Sequence, residues 1–178
     1  KAKAKAKGAV QLVDCPRCAS SGTMAGDLIY KKQLMEGVPY KLKVLANEGP
    51  LGSGVVADED IPEGVAVCEY VGEVINTKEA LAREKLYHAA GLFYLFDLAS
   101  DRYSLHPWVL DATRVGNVAR FINHMCVDAN LKVMRMGASC SYRRSDSVPG
   151  RVVLVSKRAI SKGEVLNYDY DTYNPEEE

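Results

Sequence analysis

From Tyr40 onward the apolar positions fall in short runs broken by glycine and proline. Lys41-Leu42-Lys43-Val44-Leu45 nearly alternates and predicts a strand. A turn over Gly49-Pro50-Leu51-Gly52-Ser53-Gly54 leads into a second short strand at Val55-Val56-Ala57, and Ile61-Pro62-Glu63-Gly64 is another turn signal. Val65 to Ile75 is apolar and β-branched but interrupted by Gly72, which predicts one kinked strand or two short ones. Asn76 to Ala90 predicts the main helix. Asn76 can cap it, Glu79 stands three residues on as in a capping box, and Gly91 supplies a stop. Within that helix Leu81, Lys85 and His88 share one face, and Ala82, Leu86 and Ala89 another. Leu92–Leu98, Val109–Ala112, Leu131–Met136, Arg151–Lys157 and Val165–Tyr170 predict further short strands, and Val118–Ile122 one helical turn. Many short strands with one or two helices make a mainly β or α+β domain; periodicity does not contain the strand order.

Residues 1–39 show no sustained period and are expected to be a linker into the fold. The 178 residues suit one compact domain, with 47% apolar residues to build its core. No apolar run approaches the roughly 20 residues of a membrane helix and no signal peptide is recognisable, so a soluble intracellular protein is expected.

Charge refines this picture. The formal net charge is zero, yet Lys1–Lys7 alternates lysine with alanine and carries four lysines. With those set aside, 19 basic residues face 23 acidic ones. The lysine tail fits either contact with nucleic acid or another acidic surface, or a solvated tail. The acidic body suits a basic peptide partner instead. Five cysteines, an odd number, argue against a closed disulfide framework and fit either free thiols or metal ligands completed from outside.

The most informative stretch is Gly116-Asn117-Val118-Ala119-Arg120-Phe121-Ile122-Asn123-His124-Met125-Cys126. Alone it decides little, because a single histidine is more often a hydrogen-bonding core residue than a catalyst. Two further segments change the balance: Cys68-Glu69-Tyr70-Val71-Gly72-Glu73, and Gly163-Glu164-Val165-Leu166-Asn167-Tyr168-Asp169-Tyr170. In this order and spacing the three resemble the SET-domain protein lysine methyltransferases, over about Tyr40 to Tyr173. Tyr94-Leu95-Phe96-Asp97-Leu98 and Leu110-Asp111-Ala112 are most similar to the heterochromatin-associated histone methyltransferases. The resemblance implies a SET fold (β-clip) of several small sheets closed by a C-terminal pseudoknot. It places the domain at residues 40–173, with 1–39 as a linker or the remnant of a preceding region, and 174–178 as an acidic tail.

The same resemblance implies an activity, methyl transfer from S-adenosylmethionine to lysine with S-adenosylhomocysteine as product, and it implies roles residue by residue. Leu51, Gly52, Ser53 and Gly54 match the turn against the cofactor, where glycine admits a close backbone approach. Many relatives carry Trp where Ser53 stands, so some stacking on the cofactor is expected to be lost. Tyr94, Arg120, Phe121, Asn123 and His124 match further cofactor contacts. Tyr170 matches the catalytic tyrosine, with Tyr168 and Tyr70 beside it, and Tyr70, Phe96, Tyr168 and Tyr173 match the lysine channel. For each aromatic the alternative is plain core packing, and Glu69, Glu73 and Asp111 are expected to make structural hydrogen bonds. Tyr168 matches a position where tyrosine rather than phenylalanine favours monomethyl-lysine.

The sequence departs from the pattern in two places. The usual Asn-His-x-Cys-x-Pro-Asn becomes Asn123-His124-Met125-Cys126-Val127-Asp128-Ala129-Asn130, one residue longer and without proline, which leaves Asn130 an uncertain match. The cysteine-rich segment that in the nearest branch shares zinc with the position of Cys126 has no counterpart after Tyr173. Cys15 and Cys18 have a chelating spacing without a second pair. Zinc is therefore expected only with ligands from outside these residues. The expected partners are a basic peptide such as a histone tail, and chromatin, with no membrane, in the nucleus. The rival readings are methylation of a non-histone protein lysine, and a non-catalytic SET module that binds peptide.

Overall fold

The structure is a computed structural model and describes residues 40–46, 52–98, 108–136 and 151–170. Three small sheets and one α-helix make up the described residues. β1 (Leu42–Leu45) and β2 (Gly54–Ala57) form an antiparallel pair, Leu42 opposite Ala57 and Leu45 opposite Gly54. The interrupted run, which allowed one kinked strand or two short ones, forms two, β3 (Ala66–Tyr70) and β4 (Glu73–Asn76), and they belong to different sheets. The break is enforced at Gly72, where a Cβ would sit 2.8 Å from the Asp111 carbonyl carbon.

β4 pairs antiparallel with β6 (Trp108–Asp111), which pairs in turn with β5 (Leu95–Asp97). α1 (Thr77–Ala89) packs on this sheet. Asn76 caps α1 by accepting from the Glu79 amide at 2.9 Å, and the chain leaves the helix through Gly91 at φ +67°. The Glu79 side chain does not complete a capping box; it takes the Arg83 Nε hydrogen at 2.8 Å. Neither face offered by the helical period is buried. Leu81 and Leu86 are 56% and 71% exposed, whereas Ala80 is buried against Ile75 and Val109. Polar bonds hold the helix instead: Arg83 Nη1 donates to Glu73 at 2.7 Å and Asp111 at 2.9 Å, and the Tyr87 hydroxyl donates to Asp111 at 2.9 Å. Glu73 and Asp111 thus make the structural bonds expected of them.

The central sheet holds β3, β9 (Arg151–Ser156), β8 (Leu131–Met136), β10 (Asn167–Tyr168) and β7 (Asn123–His124), in that order across the sheet. β9 is buried from Val152 to Ser156, so it reads as a continuous apolar run rather than an alternating one. β10 is parallel to both of its neighbours, which means the last strand is laid between two earlier ones. This is the C-terminal lacing that the resemblance implied. The strands expected at Leu92–Leu98 and Val165–Tyr170 are shorter than their apolar patterns: Leu95–Asp97 and Asn167–Tyr168 form ladders, and Val165 makes an isolated antiparallel bridge with Val56.

Two residues secure the laced strand, Asn130 and Glu164, and no role in holding it was expected of either. Asn130 is 1% exposed, and all its polar groups are paired. Its amide donates to Asn167 Oδ1 and its Oδ1 accepts from the Asn167 amide, both at 3.0 Å. Its Nδ2 donates to Val165 O at 2.8 Å and Glu164 Oε1 at 3.1 Å, and its carbonyl accepts from Lys157 N at 2.9 Å. The extra residue before it is absorbed by Asp128 at φ +59°, a left-handed conformation that Asp tolerates better than most side chains.

Glu164 is the second anchor. It accepts from Arg158, Asn130 and the Ser161 amide, and its main chain bonds Ala57 N at 3.0 Å. The Arg158 guanidinium, followed by the Asn130 and Ser161 donors, lowers its carboxyl to about 2 from 4.5. A depressed carboxyl contributes stability that is present above the unfolded value and lost as pH falls through the folded one. Stability is therefore expected to fall between about pH 4.5 and 2 on this account. The difference between wild type and Glu164→Gln, followed by urea denaturation, should be largest at neutral pH and shrink across that window; a constant difference would remove Glu164 from this role.

Candidate active site

The expected site residues gather in three linked groups. The first is a run of aromatic rings. Tyr70 from β3 meets Phe96 from β5 with centroids 5.0 Å apart; Phe96 lies 6.4 Å from Tyr168 of β10, and Tyr168 4.7 Å from Tyr170. Three elements distant in sequence thus contribute one aromatic wall. Tyr70, Phe96 and Tyr168 are buried, and Tyr170 is 51% exposed at the open end. Tyr170 donates its hydroxyl hydrogen to Ile122 O at 2.7 Å, and its amide donates to His124 Nδ1 at 3.0 Å.

Burial raises all three phenols above the ordinary tyrosine range, most in Tyr70 and Tyr168. The neighbouring Tyr170 adds to the shift in both of these, and Tyr94 adds to it in Tyr170. The wall is consequently lined with neutral hydroxyls, fit to orient a polar group by hydrogen bonds and unfit to act as phenolate bases. Cys68, on β3, is buried and its thiol is pushed up to about 12, so it is a packing residue rather than a nucleophile.

The second group is centred on Arg120, carried by a 3-10 turn over Val118–Phe121 that Asn117 caps. Its guanidinium carbon lies 4.8 Å from the Tyr94 ring centre and 4.6 Å from that of Phe121, and those two rings meet edge to face at 6.0 Å. Nη1 donates to Ala112 O at 2.8 Å and Thr113 O at 3.2 Å, while Nε is buried without a partner. The Tyr70 hydroxyl donates to Tyr94 O at 3.1 Å and joins this group to the aromatic wall.

The third group joins the Gly52–Gly54 turn to β7. Asn123 Nδ2 donates to Ser53 O at 3.1 Å, and a Cβ on Gly54 would approach Asn123 Nδ2 to 3.6 Å. Gly52 stands at φ +72°, with nothing among the described residues within 4 Å of where a Cβ would be.

Leu51 and Tyr173 lie outside the described residues, as do Cys15, Cys18, Lys1–Lys7 and the acidic tail. Cys126 is exposed, and no cluster of three or more potential metal ligands occurs among the described residues. Sequence reasoning missed the Ile122 carbonyl, which no side-chain pattern reveals, and Arg135, whose guanidinium lies 5.7 Å from the Phe96 ring centre on the wall.

A family model for the SET domain matches residues 52–171. The histone-lysine N-methyltransferase SUV39H2 of Xenopus tropicalis is 38% identical over 137 residues, 77% of this chain and 32% of that protein. SUV39H1 of Xenopus laevis is 32% identical over 167 residues, 94% of this chain and 37% of that protein. Su(var)3-9 of Drosophila pseudoobscura pseudoobscura is 34% identical over 144 residues, 81% of this chain and 22% of that protein. The chain thus spans 22% to 37% of the length of these curated relatives.

Because Arg120 already holds two carbonyls and two rings, Arg120→Lys should lower stability without any cofactor present. The expected loss is about 1–3 kcal/mol, from the missing bonds to Ala112 O and Thr113 O and the missing planar stacking. Urea denaturation of the cofactor-free protein measures it. An unchanged midpoint would show that the guanidinium does not hold this turn.

Proposed function

The chain belongs to the SET domain family, and from that footing we propose that it is a protein-lysine N-methyltransferase using S-adenosylmethionine, with a histone tail as substrate. The observation that carries this reading is the convergence of Tyr70, Phe96, Tyr168 and Tyr170 on one wall, coupled through the Tyr70–Tyr94 bond to the Arg120 group. The histone-lysine N-methyltransferases among the relatives support it. Action on chromatin in the nucleus follows from the same reading. The net acidity of the chain beyond the lysine tail suits a basic substrate.

The chemistry assigns the parts. When bound, S-adenosylmethionine supplies an electrophilic methyl on a sulfonium. The residues that would hold it are Gly52, Ser53 and Gly54 with Asn123 and His124, and Tyr94, Arg120 and Phe121 beyond them. The resemblance assigns Leu51 to the proposed cofactor turn and Tyr173 to the proposed lysine channel. Lysine must arrive as a neutral amine, yet its ordinary pKa of about 10.4 leaves only about one in a few thousand neutral at pH 7. Buried rings around the entering chain disfavour the ammonium form by desolvation. The Tyr170 hydroxyl spends its hydrogen on Ile122 O, which leaves its oxygen lone pairs as acceptors toward the reacting centre. In-line displacement then rests on positioning two reactants, the contribution that ordered side chains make best.

Tyr168 sets the product. Its hydroxyl can keep a water beside the amine, and a methylated amine must displace that water to react again. Replacing a well-ordered water with a methyl that cannot make its hydrogen bonds is unfavourable. Monomethyl-lysine is therefore the main product.

Histones incubated with protein and cofactor, followed by mass spectrometry, test both roles. Tyr170→Phe should stay folded and lose about 10²–10³-fold in kcat, as expected for one aligned group at a reacting centre. Tyr168→Phe should retain the first transfer and shift products toward dimethyl- and trimethyl-lysine. Wild-type turnover by a folded Tyr170→Phe protein would remove Tyr170 from catalysis, and efficient trimethylation by the unmodified protein would overturn the role of Tyr168. Cofactor binding with no transfer to any protein would favour a peptide-binding module instead.

A further inference from the structure

Tyr170 stands just past the end of a ladder. The parallel pairing of β10 with β7 stops at Tyr168 opposite His124, and the Met125 amide makes the last main-chain bond, to Tyr168 O at 3.1 Å. Asp169 and Tyr170 lie outside the strand. Strand pairing therefore does not fix the backbone of Tyr170, although its phenol must be placed to a fraction of an ångström.

The next acceptor that a ladder would offer is supplied by a side chain. The Tyr170 amide donates to His124 Nδ1 at 3.0 Å, and the two rings lie 5.2 Å apart at 57°. At the other end of the same residue the Tyr170 hydroxyl donates to Ile122 O at 2.7 Å. The segment from Ile122 to His124 thus grips Tyr170 at its amide and at its phenol. A ring nitrogen that accepts the amide hydrogen carries none of its own, so the ring proton belongs on Nε2. Asp169 Oδ1, 3.6 Å from Nδ1, then faces an acceptor and makes no hydrogen bond with it.

We propose that the His124 side chain is a positioning residue for Tyr170, acting through its Nδ1 as a surrogate strand acceptor. This rests on Tyr170 being the catalytic tyrosine. The chemistry can be imitated: an asparagine side chain places its amide oxygen near where Nδ1 stands, whereas alanine places nothing there.

The test compares wild type, His124→Ala and His124→Asn in the full chain. Three quantities are read: the exchange rate of the Tyr170 amide hydrogen, S-adenosylmethionine affinity by calorimetry, and kcat on core histones. His124→Ala should exchange the Tyr170 amide at least about tenfold faster, as expected when a hydrogen bond at a strand end is lost. It should lose about 10- to 100-fold in kcat, the scale of a small misplacement, and any accompanying loss of cofactor affinity should be recovered in His124→Asn. His124→Asn should restore protection and most of kcat. Unchanged exchange in a folded His124→Ala protein would overturn the proposal, and so would equal loss of cofactor affinity in both variants without rescue by asparagine. If wild type transfers no methyl to any protein, the proposed function fails, while the exchange rates still decide whether His124 holds Tyr170. Should His124→Ala not fold, His124→Asn decides alone: loss of Tyr170 protection in that variant contradicts the proposal.

Discussion

A strand of two residues cannot hold its own place, and the candidate site depends on one that is laid between two others. What fixes it is the reciprocal pair of hydrogen bonds between Asn130 and Asn167, each amide donating to the other's side-chain oxygen. A buried amide left unpaired costs about 1–3 kcal/mol, so once Asn130 is inside, the segment from Glu164 to Asn167 has one favourable register. Leu166 N bonds Val55 O at 2.8 Å and Ala57 N bonds Glu164 O at 3.0 Å, which ties the same segment to β2 and so to the Gly52–Gly54 turn. Tyr168 and Tyr170 follow within four residues.

The three groups of the site share this frame. Asn123 reaches Ser53 from β7, and β7 is in place because β10 pairs with it. Phe96 joins the wall from another sheet, brought there by the antiparallel pairing of β5 with β6. α1 stands apart from the site. It is fastened to β4 and β6 chiefly by Arg83, Glu73 and Asp111, and the Asp111 carboxyl is held low by the Thr113, Arg83 and Tyr87 hydrogen bonds despite its burial.

The sequence disclosed the local events and the chemistry but not the joinery. Gly72 broke an apolar run, Asn76 and Gly91 bounded the helix, and each mark reflects a backbone conformation or an unpaired amide close in sequence. The aromatic positions were legible because three motifs stood in a specific order. Asn130 was obscured by the lengthened loop before it, and its side-chain partners and its amide's partner lie 34 to 37 residues away, where periodicity carries no information. Leu81 and Leu86 misled in the opposite sense: helical spacing gathers residues on faces, but only the neighbouring sheet decides which residue is covered, and here it is Ala80. The grip on Tyr170 joins the His124 side chain, which its motif marked, to a main-chain carbonyl and an amide, groups every residue has and no motif can mark.

The central claim is that Asn130 and Asn167 act as one unit in seating the last strand. A double-mutant cycle with Asn130→Ala, Asn167→Ala and the double variant, read by urea denaturation, measures it directly. The account predicts a coupling energy of about 1–3 kcal/mol, the range of residues within one hydrogen-bond network. Losses that add to within about 0.5 kcal/mol, as they do for independent sites, would contradict it.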